Sequence, residues 1–184
     1  MGNGGWQGMI LSEKTSRFEL RFPLVVIDFE ATALTLESYP IEVGLATSEA
    51  PEARIEVWST LIAPDASWQL SAQWDPDAER IHGISRWQLR AGAAATAIMD
   101  RLNALAGHAS TVWCDGGQYD AHWLATLSVV ANIEPKFFLR DLRVIFDADP
   151  DFEQRYRDIL DRSKAPHRAG LDAERICAAL IGAR

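Results

Sequence analysis

Asp28 and Glu30 stand two residues apart at the end of the apolar, β-branched run Leu24-Val25-Val26-Ile27. Such a run reads as a buried central strand. On a strand of period two, residues 28 and 30 leave from the same face, and ionised carboxylates there are costly unless something cationic meets them. If the strand has already ended, the two acids are solvated loop residues, so the rest of the chain has to decide. Asp120 presents the same anomaly on a helix. Its i+3, i+4 and i+7 positions are Trp123, Leu124 and Leu127, so the acid lies on the apolar stripe, although a first-turn acid also gains from the helix dipole. Asp172 repeats it at the edge of a stripe formed by Ala173, Ile176, Cys177, Leu180 and Ile181. His167 lies five residues earlier, beyond Pro166, and therefore rides the loop leading into that helix. Should these carboxylates share one cleft, they would suit a hard, oxygen-seeking cation such as Mg²⁺ or Mn²⁺. Neither the cysteines nor the histidines have zinc-ligand spacing.

The elements that must position these groups can be read in order. The 184 residues, 48% of them hydrophobic, suffice for a single domain with a real core. Residues 1–20 begin Gly-rich and aperiodic and are expected to form a flexible leader, with one domain over 21–184. The strand at Leu24 is followed by alternating runs near Ile41–Thr47 and Arg54–Ile62, an antiparallel meander. Asp75-Pro76 opens a short helix closed by Gly83. Ser85-Arg86-Trp87-Gln88 has capping-box spacing and predicts a helix running on to Leu105, ended by Gly107. Then come a strand at Thr111–Asp115, a helix from Tyr119 to Ala131, a strand over Phe137–Leu142, a helix opened by Asp149-Pro150 and a last helix from Leu171. Alternation after a meander indicates an α/β fold with a mixed sheet.

Composition narrows the function classes. Apolar runs fall far short of the ~20 residues a membrane span requires, and no secretory signal is visible. Cys114 and Cys177 read as buried thiols, which fits a reducing, cytoplasmic setting. The net charge of -8 argues against coating long nucleic acid by bulk electrostatics. Residues 1–134 hold 17 acids against 8 Lys and Arg, whereas residues 135–184 hold 9 against 10. Seven of the basic residues of that second part, Arg140, Arg143, Arg155, Arg157, Arg162, Lys164 and Arg168, either face phosphate or solvate helix surfaces. Trp87, Trp113 and Trp123 fall beside apolar neighbours and read as core; His108 and His122 read as surface.

The segments Asp28-Phe29-Glu30-Ala31-Thr32 with Ile41-Glu42-Val43-Gly44, then Tyr119-Asp120-x-x-Trp123-Leu124, then His167-Arg168-Ala169-Gly170-Leu171-Asp172-Ala173, resemble the three motifs of the DEDDh subgroup of DnaQ-like 3′→5′ exonucleases. Order and spacing match. Ile81-His82-Gly83-Ile84-Ser85 and Arg140-Asp141-Leu142 resemble further signatures of that family, so the likeness spans about residues 22–182. It implies a ribonuclease H-like three-layer fold. It also implies two Mg²⁺ or Mn²⁺ ions held by Asp28, Glu30, Asp120 and Asp172, with His167 as general base. The expected partner is the 3′ end of a short, single-stranded nucleic acid, and a homodimer is one assembly the sequence allows. Thr32, Leu34, His82 and Tyr119 are the substrate contacts the resemblance suggests, although His82 before Gly83 also reads as turn chemistry. The chain departs from the family where Asp115-Gly116 replaces a His-Asn pair, Tyr119 replaces Phe, and Ala33 replaces Gly. Two rivals stand beside a polymer exonuclease: a catalytically silent binding or adaptor module of the same fold, and a phosphodiesterase confined to short oligonucleotides.

Overall fold

The computed structural model describes residues 18–68 and 74–184. Strands β1 (Leu24–Ala31), β2 (Pro40–Ser48) and β3 (Glu56–Leu61) form the antiparallel meander. Strands β4 (Thr111–Cys114) and β5 (Phe138–Asp141) add on the other side of β1 in parallel, giving a five-stranded mixed sheet in the order β3-β2-β1-β4-β5. Among the described residues six helices flank it: α1 (Pro76–His82), α2 (Ala95–Ala106), α3 (Gln118–Ala131), α4 (Arg143–Ala148), α5 (Pro150–Leu160) and α6 (Ala169–Gly182).

The pleat of β1 divides the core into two layers. Val25, Ile27, Phe29 and Ala31 face Ile98, Met99 and Leu102 of α2 and Trp123, Leu124 and Leu127 of α3. Leu24 and Val26 face the opposite way, toward Phe152 and Tyr156 of α5 and Ala173, Ile176 and Leu180 of α6. By the same parity Asp28 and Glu30 belong to the α6 side, so one face of one strand passes from apolar to acidic where the core gives way to a cleft. On β4, Trp113 lies beside Val26, and Asp115 continues its face just past the strand end.

Four local expectations change. Ser85 and Gln88 do pair, with the Ser85 N–H donating to Gln88 Oε1 at 2.7 Å, but the pair closes a turn that leads into a four-residue 3-10 turn over Gln88–Ala91. The chain then leaves helical geometry at Gly92. There, Ala93 exchanges backbone hydrogen bonds with Leu61 and Ala63, and a Cβ on Gly92 would lie 2.5 Å from the Ala63 nitrogen. The turn buries Leu89 and turns Trp87 outward, 73% exposed, so Trp87 is not a core residue; Trp113 and Trp123 are. Helix α4, only six residues long, is too short for its periodicity to show. Finally, residues 1–17 lie outside the described residues, but Phe18 and Leu20 are not loose leader. Phe18 packs edge-on against Trp113 and Phe152 and donates its N–H to Asp149 Oδ2, and Leu20 packs on the same core layer.

Candidate active site

Helix α6 crosses the acidic face of β1 because Gly44 lets it. A Cβ at position 44 would sit 2.2 Å from the Ala169 carbonyl carbon and 2.3 Å from the Gly170 nitrogen. Since Gly44 pairs with Asp28, this close approach brings the first turn of α6, with Asp172, onto the acids of β1. Gly44→Ala is therefore expected to push that turn away. A cost of about 1–3 kcal/mol follows from overpacking, or roughly 4–10 °C in Tm. Mn²⁺ affinity should fall with it, and a melting point within a degree of wild type with unchanged affinity would show that the contact does not position the site.

Asp28, Glu30 and Asp172 each offer a carboxylate oxygen within 4.8 Å of the others. They line a cavity of about 250 Å³ together with Asp115, His167 and Arg175. Asp120 is 1% exposed, and its Oδ2 accepts the Gly116 N–H at 2.9 Å. It lies outside the three-acid cluster but is the charge that most raises the Asp28 pKa. Burial, then Asp120, Asp115, Glu30 and Asp172, hold the Asp28 carboxyl well above the usual carboxylate range. Glu30 is pushed up to about 8 by burial, then Asp172 and Glu42, with Arg168 opposing. Asp120 is pushed up to about 7 by burial and Asp115, against the pull of the Gly116 N–H. Asp115 is raised too, first by desolvation in the cleft. Crowded acids of this kind are protonated or cation-bound at neutral pH, because bare charges would repel.

His167 sits at φ 52°, left-handed backbone, on the loop before α6. The Asp172 carboxylate caps that helix by accepting the Arg168 N–H at 3.0 Å, and its other oxygen is 3.9 Å from Arg175 Nη1. The remaining substrate candidates separate. Leu34 is 67% exposed on the β1–β2 loop. That loop is pinned where the Trp123 indole N–H donates to Ser38 Oγ at 2.9 Å. His82 is buried; its Nδ1 accepts the Ile84 N–H at 2.9 Å, which places the proton of a neutral ring on Nε2, a buried donor without a partner among the described residues. Tyr119 stacks on Trp123 at 5.9 Å and packs against the α2–α3 side of the core. Thr32 is fully buried and its hydroxyl accepts the Tyr39 N–H, so it closes the β1–β2 turn.

Two groups had no role assigned from sequence. Glu42 is 3% exposed on β2 and is bridged by Arg168, a pairing that the logic applied to Asp28 could have anticipated, since a buried strand acid needs a cation. Arg175 lies at i+3 from Asp172 on α6, a spacing that places them side by side. Several basic residues of the C-terminal part are likewise spent internally: Arg143 on Asp141, Arg155 on the Ala183 carbonyl and Arg157 on Glu153.

No family model matches the chain, and no curated protein matches it. Solved structures do. The zinc-bound form of the E. coli exonuclease I–single-stranded DNA complex superposes with TM-score 0.67 at 13% identity, over 86% of this chain and 40% of that one. A 3′-exonuclease solved in specific recognition of the 3′ end of a histone mRNA stem-loop gives 0.66 at 12% identity, over 86% and 79%. The chain thus spans about two fifths of exonuclease I and has the ribonuclease H-like fold of these exonucleases.

Proposed function

We propose that the protein is a DnaQ-like 3′→5′ exonuclease that releases nucleoside 5′-monophosphates from nucleic-acid ends. The observation that carries this reading is the meeting of Asp28, Glu30 and Asp172 within 4.8 Å, on a cavity that His167 also lines. An all-carboxylate donor set whose burial and mutual repulsion keep its acids proton-hungry fits a hard divalent cation. Asp28, Glu30 and Asp172 would hold it, with Asp120 beside Asp28. Two Mg²⁺ or Mn²⁺ ions held there would supply Lewis-acid charge at the scissile phosphate and would lower the pKa of water. The protein's own part is to align and to move one proton. His167, at the cavity wall, takes the proton from the attacking water at a ring nitrogen. Leu34, exposed on the β1–β2 loop, meets the terminal base.

A 5′-labelled oligonucleotide should give a descending ladder in the presence of Mg²⁺ or Mn²⁺, and a blocked 3′ terminus should resist. Internal cuts in a circular single strand at the earliest times would contradict this. An acidic protein with a small cleft should also prefer short single strands over long duplex. Parallel panels of DNA and RNA identify the substrate, and equal rates on duplex and single strand would overturn the strand preference.

A further inference from the structure

His167 needs external support. Its backbone holds φ 52°, a left-handed conformation unfavourable for a non-glycine residue that persists only where the surroundings impose it. Its ring makes no hydrogen bond among the described residues, so the support comes through the chain on either side. After it, Glu42 receives three bonds: Arg168 Nε to Oε2 at 3.0 Å, Arg168 Nη2 to Oε1 at 2.6 Å, and the Ala169 N–H to Oε2 at 3.0 Å. Before it, Arg175 holds the end of α5 and the following turn, donating to the Leu160 carbonyl at 2.7 Å and to Ser163 at 3.0 Å. Glu42 lies directly across β2 from Glu30. The same strand pair therefore carries the acids and the anchor of the histidine loop.

Stability alone is a poor reason for this arrangement, because desolvating the buried Glu42 carboxylate offsets much of what a half-exposed, solvent-screened Arg168 returns. Its distinctive property is direction. A bidentate carboxylate–guanidinium fork fixes both angle and distance, and the additional Ala169 bond fixes the backbone two residues beyond His167. We infer that Glu42, acting through Arg168, is a positioning residue that sets the place of His167 relative to the carboxylates of β1. This inference rests on the exonuclease reading for its kinetic consequence and not for its structural one.

The test is a cycle of Glu42→Gln, Arg168→Met and His167→Ala on the whole protein. Misplacing a catalytic group by about 1 Å costs on the order of 10²-fold, so Glu42→Gln and Arg168→Met should each lower kcat by about that factor. KM and Mn²⁺ affinity should stay within about threefold, since the lost interaction is one of alignment. In the His167→Ala background the same substitutions should cost at most about twofold, because the group they position is gone. A full loss persisting on top of His167→Ala would overturn the inference, as would failure of both variants to fold, which would make the pair structural. A second arm needs no turnover. With labelled histidine, the His167 ring resonance should shift or broaden in Glu42→Gln while those of His108 and His122 stay in place. An unchanged His167 resonance would overturn the inference. If the wild-type protein cleaved no nucleic acid, the exonuclease reading would fall and the resonance arm alone would decide the positioning role.

Discussion

Asp28→Asn is expected to abolish metal-dependent cleavage while making the metal-free protein more stable. The first half follows from losing a ligand at the centre of the cluster. Cation charge at the reacting phosphate is worth several kcal/mol, so the rate should fall by on the order of 10³-fold or more. Glu30→Gln, Asp120→Asn and Asp172→Asn should fail similarly, although Asp172→Asn also weakens the cap on α6. The second half follows from protons. Glu30 is pushed up to about 8 and Asp120 to about 7, both above their ordinary values, and Asp28 moves the same way. Across that window the folded protein binds more protons than the unfolded chain, so stability is greatest below the ordinary carboxylate range and declines as pH rises toward about 8. Removing one charge relieves part of that decline. A gain of a few kcal/mol at pH 8, roughly 5–10 °C in Tm, should appear only without metal. Saturating Mn²⁺ should close most of that gap, since it stabilises wild type by about 2.7 kcal/mol at a hundred times Kd and the variant far less. A folded Asp28→Asn protein with undiminished turnover would remove the site assignment.

His167→Ala should fail differently. A general base contributes on the order of 10²–10⁴ in rate, and a divalent cation keeps water partly reactive without it. The variant should therefore bind Mn²⁺ and oligonucleotide like wild type and cleave slowly. Its pH profile is the sharper readout. A protonated imidazole cannot accept a proton, so the histidine's contribution to the wild-type profile is a loss of rate on the acid side. That component should disappear with the ring. Loss of metal binding in His167→Ala, or wild-type turnover with the acid limb intact, would remove His167 from the mechanism while leaving the acid cluster standing.

How far these residues could be read before folding depends on the range of the forces involved. The placement of Asp28 and Glu30 on one face follows from strand parity alone, and that of Asp120 from helical spacing, because both are set within a few residues. The same local logic failed where a distant segment intervened. The helix expected from Ser85 is broken because Ala93 bonds to the end of β3. Trp87 is exposed because a 3-10 turn took its apolar neighbours inward. The pairing of Glu42 with Arg168 joins residues 126 positions apart, and only the register of α6 on β2, permitted by Gly44, brings them together. The resemblance located the histidine loop; it carried no information about what holds it.

Calorimetric titration of the metal-free protein with Mn²⁺ at pH 7, repeated in two buffers of different ionisation enthalpy, tests the acid cluster most directly. The expected result is two ions bound with release of at least about one proton, because acids raised to about 7 and about 8 must give up protons to bind a cation. The proton release should shrink in Glu30→Gln. A folded wild-type protein that takes up no Mn²⁺, or takes it up with no proton release and equally well after Asp28→Asn, would contradict the assignment of this cleft as a divalent-metal site.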